Sequence, residues 1–232
     1  MRLNKFISRS GFCSRRKADE FIFSGNVTVD GEVCTNPAIK VSDDNIVMVL
    51  GKRVSALKSY DYIMLNKPIG YMSSLGDPHY DKFVSDLIPK KYDTLYPVGR
   101  LDVDSHGLLL LTNDGDLTYK LTHPKNNISK IYHVTTNKKV SNDDIDRLSK
   151  GVLIDAKYTC TADVSPIKKD SNLYKVVINE GRNRQIRKMF SSQGYEVTDL
   201  MRVAIEELTI GSLRTGNYRL LTPYEIKYLE DL

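Results

Sequence analysis

The stretch Gly99–Leu117, GRLDVDSHGLLLLTNDGDL, places the four acids Asp102, Asp104, Asp114 and Asp116 around four consecutive leucines. An apolar run bounded by turn residues is typical of a buried strand, which here is GLLLLTN. An ionised carboxylate is most stable in water, and it is found beside a buried strand only where a partner stabilises it. The position of these acids therefore needs an explanation. A loop that enters a core strand is also where a rigid scaffold can hold a reactive group.

The residues themselves leave three interpretations of these acids open. The acids could cap turns by accepting backbone N–H bonds, which the sequence NDGD at 113–116 favours. Asp102 and Asp104 form a D-x-D pair, a pattern that can bind magnesium. The third interpretation is a single working carboxylate, acting as nucleophile or base beside a basic residue.

A basic partner is offered by Ile178–Phe190, INEGRNRQIRKMF. It carries four cations near the start of a predicted helix: Arg182, Arg184, Arg187 and Lys188. Arg184 and Arg187 are spaced i and i+3, so we expect them on one helix face. Arg187 follows Ile186 at the edge of the apolar face, and an arginine that points inward requires a carboxylate. We therefore expect a salt bridge between Arg187 and Asp102, which would favour the ionised carboxylate.

Composition describes an ordinary globular chain. Its 232 residues allow one large domain, or a medium and a small one, and 41% hydrophobic with 27% charged residues excludes general disorder. The net charge of +5 is only mildly basic, so the distribution of the charge must decide whether a polyanion binds. Three cysteines, Cys13, Cys34 and Cys160, form no CxxC pair, which disfavours a disulfide framework or a structural zinc site. With no signal peptide and no apolar run near the roughly 20 residues of a membrane helix, we expect a cytoplasmic protein.

The order of elements predicts an α+β fold. Residues 1–50 indicate a compact unit of two helices and a hairpin at Asp30-Gly31, and 51–59 lose apolar periodicity as a linker does. Residues 60–232 mix strands and helices without a regular βαβ order, which favours a mixed, mainly antiparallel sheet. The main predicted strands are YIMLNKP, GLLLLTN, IYHVTTN and LYKVVINE, and the helices are DGDLTYKLTH, SNDDIDRLSKG, NRQIRKMFSSQG and LTPYEIKYLEDL.

The first two predicted helices are crowded with cations. These are Arg2, Lys5, Arg9, Arg15, Arg16 and Lys17. Such a run is either a solvated face or a surface that binds phosphates. The string RLNKFISRSGFCSRRKADEFIFSGNVTVDG resembles the small RNA-binding module named after ribosomal protein S-four, with Gly11, the Ser14-Arg15 helix start and Gly31 at matching places. The resemblance implies RNA contacts from five of the six cations: Arg2, Lys5, Arg15, Arg16 and Lys17.

The remainder of the chain resembles a family of enzymes. VGRLDVDSHGLLLLTNDGDL, SKIYHV and EGRNRQIRKMF are similar to the three motifs of RNA pseudouridine synthases, and NKPIGYMSS and GNYRLLTPYE fit the same family. The resemblance is to the bacterial ribosomal branch that includes the small-subunit enzyme lettered A and the large-subunit enzymes lettered B, E and F, and it is strongest to the B type. It covers essentially the whole chain.

The resemblance implies a mechanism and a set of site residues. The enzyme would convert one uridine of ribosomal RNA, most similar to a large-subunit substrate, with Asp102 acting on the ribose as nucleophile or base. Arg187 would pair with Asp102, Tyr132 would stack on the target base, and Arg100 would fill the gap left by the flipped nucleotide or touch its phosphates. Arg182 and Arg184 would add further RNA contacts. Neither a metal nor another cofactor is implied.

The expected partner is ribosomal RNA or an assembling ribosomal subunit, with no membrane involved. We expect a monomer, since the sequence shows no coiled coil or other oligomerisation signal. Two other functions stay open: a small-subunit synthase of the same architecture, and an RNA-binding or assembly factor without catalysis. The presence of Asp102, Tyr132 and Arg187 argues against the second of these.

Overall fold

The computed structural model describes residues 1–55, 57, 59–74, 76 and 80–232. They divide into two compact units, Met1–Asp61 with Asn113–Gly115, and Tyr62–Thr112 with Asp116–Leu232. Within these described ranges, none of the helices has the length and apolar composition that crossing a membrane requires.

The first unit consists of two helices and a four-stranded antiparallel sheet. The elements are α1 Leu3–Arg9, α2 Arg15–Phe23, β1 Val27–Val29, β2 Glu32–Val33, β3 Val47–Val49 and β4 Lys52–Val54, with the strand order β2-β1-β3-β4. Ser14 caps α2, because its Oγ accepts from the backbone N–H of Lys17 at 3.3 Å. Asp30 and Gly31 have φ values of 51° and 92°, which a tight hairpin turn requires, so the predicted hairpin is confirmed.

The segment 51–59 is not simply a linker. Its strand β4 pairs with β3 across a turn in which Leu50 and Gly51 have φ values of 49° and 74°. Val54 is buried in the core of the first unit. It is the one apolar residue of β4, and a single apolar residue is too short a pattern to predict a strand from the sequence. Residues 56 and 58 of the predicted linker lie outside the described residues. That 1–50 and 60–232 are separate domains stays a prediction.

The second unit is built on a nine-stranded sheet. Its strands, with those of a separate β9–β10 hairpin, are β5 Tyr62–Lys67, β6 Tyr96–Pro97, β7 His106–Thr112, β8 Lys130–Thr136, β9 Val152–Ile154, β10 Tyr158–Cys160, β11 Asp163–Pro166, β12 Leu173–Ile178, β13 Val197–Ile205, β14 Leu208–Thr209 and β15 Tyr218–Leu220. The helices are α3 Gly115–Thr122, α4 Asn142–Lys150, α5 Gln185–Ser192 and α6 Pro223–Asp231.

The large sheet explains the unbroken leucines. Its strand order is β11-β12-β8-β13-β7-β5-β15, with β6 beside β7 and β14 beside β13. All its pairings are antiparallel except that of β13 with β7. Leu108, Leu109, Leu110 and Leu111 are buried on this central strand, which has no solvated face. The predicted α+β class with a mainly antiparallel sheet is confirmed.

Gly107 lets β7 and β13 approach each other closely. Its φ is 103°, and a Cβ at this position would lie 2.2 Å from the carbonyl O of Arg202. Any other residue would therefore meet backbone, which cannot move aside as a side chain can. The buried Arg202 continues the contact, since its Nε donates to the carbonyl O of Leu108 at 2.7 Å. This junction fixes the start of β7 directly after the acidic loop.

The predicted helix caps are confirmed, but the predicted start of α5 is wrong. Ser141 and Thr222 cap α4 and α6 through their side-chain oxygens, as the sequence predicts. However, α5 begins at Gln185, whereas the sequence predicted a start at Asn183. The reason is Arg184, whose φ of 52° and ψ of 32° lie in the left-handed region and interrupt the helical path.

Candidate active site

Asp102 lies in the predicted loop, between β6 and β7. The backbone N–H of Ser105 donates to the carbonyl O of Asp102 at 3.1 Å and closes a turn over these four residues. The Asp102 side chain is 32% exposed, whereas Ser105 is buried. The turn therefore holds the backbone inside the protein and leaves the carboxylate accessible.

A buried lysine anchors this turn from below. Lys67, the last residue of β5, is fully buried, and its Nζ donates to the carbonyl oxygens of Ser105 at 2.7 Å, Asp102 at 3.0 Å and Pro68 at 3.1 Å. Burial lowers the pKa of the Lys67 ammonium to about 8, although the charges of Asp102 and Asp104 act to raise it. The ammonium thus joins both ends of the turn, Asp102 and Ser105, through two of its donors, while the third binds Pro68.

Two further contacts hold the same loop. Ser73 Oγ donates to the carbonyl O of Leu101 at 2.9 Å and accepts from the Leu101 N–H at 3.2 Å. The Gly70 N–H donates to the carbonyl O of Val103 at 2.8 Å. The segment NKPIGYMSS, which the sequence connects only with the family resemblance, therefore forms hydrogen bonds to the backbone on both sides of Asp102.

The expected salt bridge between Arg187 and Asp102 is wrong in this structure. Arg187 does point inward, with a side chain 14% exposed, but its Nε lies 3.3 Å from the Oδ2 of Asp104. Its guanidinium also donates to the carbonyl oxygens of Asp104 at 2.8 Å and Val197 at 2.7 Å. Arg184 is the arginine beside Asp102, with its Nη1 3.8 Å from the Asp102 Oδ2. Arg184 is left-handed and precedes α5, so the prediction that it shares one helix face with Arg187 is also wrong.

Asp104 connects the two arginines. Arg184 donates to both of its carboxylate oxygens at 3.0 Å, a bidentate geometry that fixes the guanidinium plane. Burial acts to raise the pKa of Asp104, but the hydrogen bonds from Arg184 and the charges of Arg187 and Arg184 outweigh it and lower that pKa. Asp104 is therefore an ionised holder of the arginines, a role that the sequence did not reveal.

Asp102 opens into a cleft of about 240 Å³ that also contains most of the predicted site residues of this unit. The cleft is lined by residues that include Arg100, Asp102, Tyr132, Ile178, Arg182, Arg184 and Leu200. Tyr132 is 8% exposed on β8, so its ring forms part of a wall with Ile178 and Leu200. Arg100 is exposed on the same loop as Asp102. An ionisable acid, an aromatic wall and a rim of arginines suit the capture of an extruded base attached to an anionic backbone.

The other predicted RNA-binding residues belong to the first unit. Arg2, Arg15, Arg16 and Lys17 are exposed and Lys5 is half-buried. Lys17 pairs with Glu20 at 2.6 Å, so part of its charge is already compensated.

No three His, Cys, Asp or Glu side chains are grouped as metal ligands within the described ranges. Asp114 directly precedes α3 and Asp116 lies in its first turn. Their capping role stays a prediction.

The comparisons with known proteins agree with this geometry. A family model described as RNA pseudouridylate synthase matches residues 61–192, and an S4 domain model matches residues 1–47. Ribosomal large subunit pseudouridine synthase B of Bacillus subtilis (strain 168) is 38% identical over 235 residues, covering 100% of this chain and 96% of the relative. Dual-specificity RNA pseudouridine synthase RluF of Escherichia coli (strain K12) is 37% identical, covering 97% and 77%.

A solved structure gives the same result. A crystal structure of a pseudouridylate synthase aligns with a TM-score of 0.72 at 30% identity, covering 99% of both chains. Sequence motifs, the cleft at Asp102 and full-length similarity therefore agree, and the chain belongs to the RNA pseudouridylate synthase family, with an S4 domain at its N-terminus.

Proposed function

We propose that this enzyme converts a uridine of large-subunit ribosomal RNA to pseudouridine, with Asp102 as the essential reactive group. The observation that carries the proposal is the anchored turn: its backbone is held by Lys67, Ser73 and Gly70 while its carboxylate opens into the cleft. Similarity to a large-subunit enzyme over the full chain supports the choice of substrate. A carboxylate on a fixed backbone has less entropy to lose when the substrate arrives.

The reaction exchanges one bond to the ribose for another. The bond between uracil N1 and ribose C1′ breaks, the uracil turns, and its C5 bonds to C1′. The proton displaced from C5 is matched by one gained at N1, so atoms balance without a co-reactant. In this scheme Asp102 acts on the ribose, as nucleophile or base, and the walls of the cleft retain the free uracil while it turns.

Tyr132 and Arg100 serve the extrusion of the target base in this proposal. Removing a base from its stack costs a few kcal/mol, and stacking on an aromatic ring returns about 1–3 kcal/mol. Its position in the lining of the cleft that contains Asp102 supports this role for Tyr132. Arg100 is exposed and precedes Asp102 by two residues. Its guanidinium can therefore fill the space that the extruded base leaves in the RNA, or contact the phosphates.

The N-terminal unit supplies affinity that does not depend on base sequence. Arg15 and Arg16 add positive side chains to the start of α2 at Ser14, and helix starts that carry cations attract phosphates. Ribosomal RNA or an assembling ribosomal subunit is the proposed partner, and a cytoplasmic monomer is the proposed form. The alternative for the cations is a solvated surface with no role in binding.

The experiment is an in vitro conversion followed by mapping of pseudouridine at single-nucleotide resolution. Purified enzyme is incubated separately with large-subunit and small-subunit ribosomal RNA transcripts. We expect one modified uridine in the large-subunit transcript. Product in the small-subunit transcript alone would replace the proposed substrate, and absence of product in both, and in assembling subunits, would favour a non-catalytic assembly factor.

A further inference from the structure

Arg182, at the rim of the catalytic cleft, is held in a fixed plane. Its guanidinium carbon lies 3.9 Å from the ring centroid of Tyr158, so that one face of the guanidinium is covered by the ring. Its Nε donates to the Oε2 of Glu180 at 3.1 Å, and its backbone N–H donates to the Oε1 of Gln185 at 2.9 Å. Gln185 is buried and donates from Nε2 to the other oxygen of Glu180 at 3.0 Å. Arg182 thus loses little freedom when a ligand binds.

The ring beneath Arg182 is itself well supported. Tyr158 is the first residue of β10, pairs with Ile154 of β9 and packs against the main core. A rotating surface tyrosine would give the guanidinium no defined orientation. Here the hairpin fixes the ring and the ring fixes the guanidinium.

The environment of Arg182 fits a base better than a phosphate. Glu180 already compensates much of its charge at 3.1 Å, which weakens attraction to a further anion. The side chain remains 41% exposed and lines the cleft with Asp102 and Tyr132, although Tyr158 covers one face. Unstacked RNA bases commonly stack on guanidinium planes, and the face opposite Tyr158 is the one that such a base would use.

We propose that Arg182 is the stacking platform for the base of a nucleotide adjacent to the target uridine. The inference rests on the proposed function, since it takes RNA as the substrate of this cleft. The position at the rim assigns it to the neighbour: Tyr132, at 8% exposure, forms the deep wall beside Asp102, whereas Arg182 is far more open. The order from inside to outside is then target uracil on Tyr132 and the neighbouring base in the stack Tyr158–Arg182–base.

The test compares replacements that separate stacking from charge. Affinity for a large-subunit RNA fragment is measured over a range of salt concentrations for Arg182→Ala, Arg182→Lys and Arg182→Phe. Stacking predicts that Ala and Lys both weaken binding by about 5- to 100-fold, that Phe stays within about threefold of wild type, and that the salt slope does not change. A phosphate contact predicts instead that Lys retains affinity and that Ala reduces the slope by about 0.7 to 0.9. The control is Arg147→Ala, whose side chain is 67% exposed and pairs with Asp144.

The ligand position is tested with the RNA. An abasic nucleotide is placed in turn on the 5′ and 3′ sides of the target, and at one of the two positions it should make wild type and Arg182→Ala bind equally. A penalty for Arg182→Ala that persists with both abasic RNAs would overturn the proposal, as would full affinity of the Lys variant. If Arg182→Phe does not fold, the Lys variant and the abasic RNAs still decide. Conversion of the unmodified fragment by wild type is scored separately, so that a failure of the proposed function shows as loss of that product and not as a change at Arg182.

Discussion

Replacing Lys67 by Met tests whether the turn of Asp102 rests on a buried ammonium. The Lys67 pKa falls from 10.5 to about 8 on folding, and because each pKa unit is worth about 1.4 kcal/mol, the difference amounts to about 3 kcal/mol. Between these two pH values the unfolded chain holds the Lys67 proton and the folded chain does not. The contribution of Lys67 to the free energy of unfolding therefore rises with pH over this window and is constant below pH 8.

The difference in free energy of unfolding between wild type and Lys67→Met should consequently increase by about 2–3 kcal/mol from pH 7.5 to pH 10. Urea unfolding followed by circular dichroism measures it, since the chain has no tryptophan. Comparison with the variant cancels other titrations, and the exposed Lys90→Met serves as the control. A difference that stays constant with pH would refute the lowered pKa of Lys67 in the folded protein.

The same variant should lose activity at pH 7. Three carbonyl oxygens lose their donor, and an unpaired buried acceptor costs about 1–3 kcal/mol, which the turn can avoid only by moving. We expect the single-turnover rate to fall at least about tenfold while RNA affinity stays within about threefold. Full activity of a folded Lys67→Met enzyme would show that the turn does not need this anchor.

Three further comparisons test the strand junction, the two arginines and the N-terminal cations. Gly107→Ala should destabilise the protein by about 3 kcal/mol or more, because the added Cβ meets backbone atoms. A Cβ at the control position Gly51 has nothing within 4 Å, so Gly51→Ala should cost only about 1 kcal/mol of backbone strain. Equal losses of stability in urea unfolding would contradict the close approach of β7 and β13. Arg187→Met should lower the Tm and the single-turnover rate together, since this side chain holds two carbonyl groups, while Arg184→Met should lower the rate with a Tm within about 2 °C of wild type; the opposite pattern would reverse their roles. Arg15→Gln should reduce the slope of log affinity against log salt by about 0.7 to 0.9, and an unchanged slope would make this cation part of a solvated surface.

The fold and the reactive loop were predictable because local patterns carry them. The leucines after Asp102 predict a central strand. Ser141 and Thr222 predict helix starts, because their side-chain oxygens accept hydrogen bonds from backbone N–H groups of the first turn. The inward orientation of Arg187 also followed from the apolar residues beside it in the sequence. Each of these signals lies within one helical turn or one strand.

The anchors of the site were not predictable in the same way. Lys67 contacts carbonyl groups 35 and 38 residues further along the chain, and carbonyl groups are identical in every sequence. The available signal was weak: a lysine ends the largely apolar strand YIMLNK, and lysine at a strand end is ordinarily exposed. The placement of Arg184 beside Asp102 was missed for a different reason. Its backbone is left-handed, a conformation that glycine, asparagine and aspartate favour and that nothing in an arginine indicates.

The central claim is that the Asp102 carboxylate is the reagent, and Asp102→Asn tests it most directly. The amide keeps the shape of the side chain and removes its charge, while the Lys67 and Ser105 contacts use the backbone of this residue and stay in place. Pseudouridine is measured in a single turnover with excess enzyme on large-subunit RNA, alongside RNA affinity and Tm, with Asp104→Asn as the matched control. The account predicts no product from Asp102→Asn at near wild-type affinity and Tm, and reduced but measurable product from Asp104→Asn. Appreciable product from pure, folded Asp102→Asn enzyme, with none from Asp104→Asn, would contradict the assignment and transfer the role to Asp104.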